Sequence, residues 1–268
     1  MLDHYANQAS GLLGLGCQPG PKLIAMVSHG DEHAELPLLW QLCLSMVQLG
    51  YSITVLDGTT AESDTNPGLE QLLDNTHWSD DGASGIPAWT VMPSAHGLRA
   101  LCGTPDAHTR GLHHLRKVVP PEGVLALYCQ AEWMTTLLGE CQTEPLLAVS
   151  STRASLLSSY AALKRLLITG KLRPTIIHML QDTNRHASST TADTLSGLRA
   201  CAERFLGYEC KTLTMREPRH DSQHSAEMQS LALRLLENAM TLDAKDAPTG
   251  GLHRLAPLRR FDHFAERH

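Results

Sequence analysis

Residues 22–58, KLIAMVSHGDEHAELPLLWQLCLSMVQLGYSITVLDG, set two short apolar runs on either side of one helical stripe. That order constrains the chain more than any other feature. Lys22–Ser28 is a strand-length run that stops at His29-Gly30. From 36 to 49 apolar residues recur at helical spacing (Leu39, Leu42, Cys43, Met46), and Gly50 stands where a helix C-terminal glycine belongs. Residues 53–56 form a second apolar run that closes on Asp57. Two parallel strands joined by a helix make a right-handed unit whose first loop lies at the ligand-binding edge of the sheet. The expected fold is therefore α/β, a three-layer sandwich with a mostly parallel, twisted central sheet flanked by helices.

A phosphate-binding loop in that position needs glycines that turn backbone N–H groups to the phosphates, a lysine, and a Ser or Thr for magnesium. This loop offers Asp31, Glu32 and Glu35 with one glycine, Gly30. Carboxylates directed at a nucleotide's phosphates would repel them. The architecture suits a nucleotide and the chemistry does not.

From Ser28 to Gly50 the spacing resembles, without a gap, the MinD/ParA-type ATPases, and within them the flagellar-number regulators FlhG and FleN. Those proteins carry S-G-K-G-G-V-G-K-T, a helix ending in leucine and glycine, and a strand closing on D-A-D. In this register the first signature lysine falls on Gly30, the glycines on Asp31, Glu32 and Ala34, the second lysine on Glu35 and the magnesium-binding Thr on Leu36. Asp57 is retained, and Thr59 replaces the aspartate that positions the attacking water. A second stretch, 145–164, matches the same regulators at Val149, Ser155, Leu156, Tyr160, Ala161, Leu163 and Lys164. His178 stands where the family tends to place an adenine-reading asparagine. The resemblance implies the family's fold with a degenerate nucleotide site, no ATPase activity and no resident cofactor.

The same resemblance extends to the first residues. Asn7, Gln8, Ala9, Gly11, Leu12 and Leu13 follow the D-Q-A-x-G-L-R element with which the flagellar regulators act on their partner, the GTPase FlhF, though Asn7 and Leu13 replace its charged ends. The implied organisation is a partner-binding tract at 1–21, the α/β domain at 22–243, and a linker and tail at 244–268. In the tail, Leu252, Leu255, Leu258, Phe261 and Phe264 recur every third residue with arginines between them, a pattern suited to a membrane surface or to docking on protein.

Composition narrows the function classes. A net charge of −6 argues against general nucleic-acid binding. Seven cysteines without a C-x-x-C pair read as free thiols of a reducing compartment. No apolar run reaches the length of a membrane span, and the first residues lack a secretory pattern. The expectation is a cytoplasmic protein, peripheral at the inner membrane if the tail binds lipid. It would be a monomer or a dimer that needs no ATP, working through protein partners such as FlhF or the flagellar base. Most of the fifteen histidines read as surface residues. The competing reading is enzymatic: His29-Gly30-Asp31-Glu32 resembles the H-G-x-E motif of zinc deacylases of the aspartoacylase type. There His29 and Glu32 would bind zinc, with His96, His108 or His113 as third ligand.

Overall fold

The structure is a computed structural model that describes residues 20–74, 88–180, 188–216 and 226–242, without the side chains of 188–194. Seven strands form a parallel sheet: β1 (Lys22–Ser28), β2 (Ile53–Asp57), β3 (Trp89–Pro93), β4 (Val124–Gln130), β5 (Leu146–Val149), β6 (Thr175–Leu180) and β7 (Lys211–Arg216). Their order is β3-β2-β4-β1-β5-β6-β7, and a short eighth strand, β8 (Met240–Thr241), pairs antiparallel with the start of β1. The expected α/β sandwich is thus present. One detail differs: β1 and β2 are not neighbours, because β4 lies between them and pairs with both.

Both faces of the sheet are buried, as parallel strands with near-continuous apolar sequence require. Ile24, Met26, Ala126 and Tyr128 face α1 (Glu32–Gln48) and α8 (Ala226–Asn238), whose Leu38, Leu42, Leu231 and Leu235 complete that layer. Leu23, Ala25, Leu127 and Cys129 face the opposite layer. It contains α2 (Leu69–Leu73), α3 (Ala95–Cys102), α4 (Ala107–Arg116), α5 (Ala131–Leu138), α6 (Arg153–Ile168) and α7 (Ser188–Leu206). Of these, α5 follows β4 with no turn residue between, so the sequence pattern does not announce it. β6 begins only at Thr175, since Lys171 is left-handed (φ 53°) and Pro174 intervenes before pairing starts. Among the described residues no helix is long and apolar enough to cross a membrane.

Candidate functional site

The loop between β1 and α1 closes on itself. Gly30 takes φ 92°, a conformation glycine adopts freely, and the helix then starts at Glu32, four residues before the apolar stripe that announced it. Glu35 sits in the first turn and is fully buried. Its Oε1 accepts the backbone N–H of His29 at 2.9 Å and of Asp31 at 3.0 Å, reaching back over the helix start as a capping-box acid does. Its Oε2 accepts the Tyr128 hydroxyl from β4. The three carboxylates expected at the mouth therefore have different fates: Glu32 is exposed, while Asp31 and Glu35 turn inward to satisfy donors. Burial first, and then the Glu35 contact, push the Tyr128 hydroxyl far above the ordinary tyrosine range, so it stays a proton donor.

His29 and Asp31 tie this loop to the next unit of the sheet. His29 Nε2 lies 2.6 Å from the Ala148 carbonyl, which can only accept, so Nε2 carries a proton. Its Nδ1 meets Ser158 Oγ of α6 at 2.8 Å. Asp31 Oδ2 accepts the Ser150 N–H at 2.9 Å. Burial opposes ionisation of Asp31, but hydrogen bonds from Ser155 and Ser150, helped by His29, outweigh it and hold the carboxyl below its ordinary 3.8. A carboxyl depressed in the fold binds protons less readily than in the unfolded chain. Its contribution is complete above pH 3.8 and is lost as pH falls through the lower folded value. Urea midpoints measured from pH 6 down to about pH 3 should therefore fall more steeply at the acid end for the native chain than for Asp31→Asn. Parallel curves would show that Asp31 does not contribute this way.

No family model matches the sequence, and no curated protein matches it. Solved structures do match in fold. A chain of the MinC:MinD cell division protein complex of Aquifex aeolicus aligns with TM-score 0.54 at 8% identity, covering 83% of this chain and 98% of that one. Cobyrinic acid a,c-diamide synthase of Mycobacterium smegmatis, solved with ADP and magnesium, aligns with TM-score 0.56 at 14% identity, covering 81% and 94%. The cell division ATPase MinD of Pyrococcus furiosus gives 0.51 at 12%, covering 81% and 98%. The chain shares the fold of these MinD structures.

Within this MinD/ParA-type fold, the residues present do not fit a magnesium nucleotide. Two backbone donors of the loop are held by Glu35, Ala34 is buried, and Leu36, which the resemblance aligns with a magnesium-binding Thr, is an exposed apolar side chain. Asp57 is engaged locally, accepting Thr59 N–H, Thr59 Oγ1 and Thr60 Oγ1 at 2.9, 2.6 and 2.6 Å. His178 is buried against Ser151 Oγ, 3.2 Å from Nε2, and burial lowers its pKa so that it is neutral near pH 7. The zinc reading finds no assembled ligand set either. Among the described residues no group of three His, Cys, Asp or Glu is placed to hold a metal. Both His29 nitrogens are engaged, and His108 Nδ1 is on the Leu137 carbonyl. His96 and His113 belong to α3 and α4. The stretch 7–13 and the tail residues 252–264 lie outside the described residues.

Beside the loop, on the face covered by α3, α5 and α6, the ends of β1, β2 and β4 open into a cleft of about 740 Å³. His29 and Ser158 reach it from one side, His96 and Arg99 from another. Sequence reasoning missed this cleft, and it missed Tyr128 as the partner of Glu35.

Proposed function

We propose that the chain is a MinD/ParA-fold adaptor that works without nucleotide. It acts through protein–protein interaction in the assembly, number or placement of the bacterial flagellum, with the GTPase FlhF or components of the flagellar base as partners. One observation carries the non-ATPase half of this reading: the loop's amides already hold an internal anion, the carboxylate of Glu35, which the Tyr128 hydroxyl binds from the other side. A phosphate arriving there would have to displace a buried, hydrogen-bonded charge and replace it with no lysine at hand. The flagellar half rests on the resemblance of residues 7–13 and 155–164 to the flagellar regulators. That MinD of Aquifex aeolicus is found in a complex with MinC supports the idea that this fold presents a protein-binding surface.

Two measurements test the two halves separately. Calorimetric titration with magnesium ATP should give no saturable heat up to about 1 mM ligand, and no phosphate should be released. Magnesium-dependent binding or turnover would overturn the adaptor reading. Co-purification from flagellated cells should recover flagellar proteins with the full chain and lose them with a variant lacking residues 1–20. Equal recovery by both forms would remove the N-terminal tract from the partner surface, and recovery by neither would remove the flagellar assignment.

A further inference from the structure

The cleft beside the closed loop has a chemistry of its own. At about 740 Å³ it falls in the size range of small-molecule sites. It exists because small side chains line it: Ala61, Ala95, Ala131, Ala161 and Ala162, with Gly58 at its base. Gly58 has no substitute there, since a Cβ would stand 2.8 Å from the Cys129 Cβ and 3.0 Å from the Tyr128 carbonyl oxygen. Trp133 adds apolar wall.

Charge gives the cleft a sign. Arg99 and Arg165 line it with one carboxylate, Glu132, which pairs with Arg165 at 3.2 Å. Arg99 is exposed and has no ion-pair partner among the described residues. The His96 ring at the same wall is already engaged, 3.5 Å from Glu70 and 4.0 Å from Glu62. Also on the lining, α5 begins at Gln130, an N-cap whose side chain makes no capping hydrogen bond. The first-turn amides of a helix have no acceptor within their own helix and carry about half a positive charge. Arg99, unpaired among the described residues, and the start of α5 thus both line an alanine-walled cleft, in a chain whose net charge is −6. A positive cleft on an acidic surface concentrates small anions.

We infer that this cleft binds a small organic dianion, of the dicarboxylate or phosphate-monoester kind. Arg99 and the first turn of α5 hold its charge, and the alanines and Trp133 hold its carbon chain. Oxyanions of either kind match a guanidinium fork. The inference rests on the cleft alone and is independent of any flagellar partner.

The test is calorimetric titration of the full chain at constant ionic strength with succinate, with glycerol 3-phosphate and with magnesium ATP. Saturable binding of succinate, glycerol 3-phosphate or both is expected, and the difference between them identifies the anionic group preferred. Arg99→Ala should weaken it about tenfold or more, the loss of one charge-assisted contact. Ala161→Trp, at an exposed position on the cleft rim, should abolish it by filling the space without changing charge. Both variants should unfold at the wild-type urea concentration, which separates lost binding from lost structure. Absence of saturable binding by both dianions, or binding equally tight in both variants, overturns the inference.

Discussion

Replacing Glu35 by alanine should cost about 3–5 kcal/mol of folding stability. The carboxylate is fully buried and accepts three hydrogen bonds, from His29 N–H, Asp31 N–H and the Tyr128 hydroxyl. A buried donor left without an acceptor costs about 1–3 kcal/mol, and Tyr128, itself 1% exposed between two strands, has no water to turn to. The His29 amide is only partly buried, so water recovers some of its loss, while the Asp31 amide is buried; the total stays toward the lower end of a simple sum. For a chain of this size about 3 kcal/mol corresponds to a melting temperature lower by roughly 10 °C. Glu35→Gln keeps an oxygen for the two amides, and its N–H can donate to Tyr128, so the loss should be about 1 kcal/mol. Glu35→Lys introduces the lysine that the resemblance would place here but aims a cation at two N–H groups in a buried site. It should be the least stable of the three and should gain no ATP binding. Urea unfolding followed by circular dichroism orders the series, and a cycle with Tyr128→Phe isolates the hydroxyl contact. A loss below about 1 kcal/mol for the alanine variant would mean that Glu35 does not hold the loop.

Why the sequence revealed the frame of this site and not its contents follows from the range of each interaction. β1 and the helical stripe of α1 are short-range patterns, since burial on both faces demands continuous apolar residues and a packed helix demands its 3.6-residue period. The resemblance from Ser28 to Gly50 aligns Glu35 with a nucleotide-loop lysine. Nothing local says where a carboxylate points. Glu35 turns inward because Tyr128, 93 residues later, supplies a hydroxyl above it. The register that brings them together comes from β4 inserting between β1 and β2. Read alone, Tyr128 is the apolar end of a strand, and it is buried as such; only its hydroxyl joins the site. The helix α5 escaped notice for a related reason. Six of its eight residues are buried, so no polar face marks its period, and it leaves β4 without a glycine or proline to signal the break. The cleft in turn depends on where α3, α5 and α6 meet, a property of packing with no local signature.

The second large effect is expected at Glu62, a carboxylate far from the loop that fixes one wall of the cleft. Its side chain is fully buried. Oε2 accepts His96 N–H at 2.7 Å, and Oε1 accepts Gly97 N–H at 2.9 Å and Glu70 N–H at 3.3 Å. The first turn of α3 receives no side-chain cap from its own N-cap, Ser94, so Glu62 caps it from 34 residues upstream. The same carboxylate binds α2 through Glu70, and the two helices meet closely enough that a Cβ on Gly97 would stand 2.7 Å from Leu69 Cγ. Glu62→Ala leaves three amides without an acceptor and removes a negative charge from a helix N-terminus, a loss of about 2–4 kcal/mol. Glu62→Gln keeps one accepting oxygen and should lose about half as much. Hydrogen exchange gives the local readout: the His96 and Gly97 amides should exchange much faster in Glu62→Ala, while amides of β1 and β4 change only as far as global stability falls. Because His96 and Arg99 stand on α3, dianion binding in the cleft should weaken as well. Unchanged exchange at His96 and Gly97, with a loss below about 0.5 kcal/mol, would mean that packing of Leu98 and Leu101 alone positions α3.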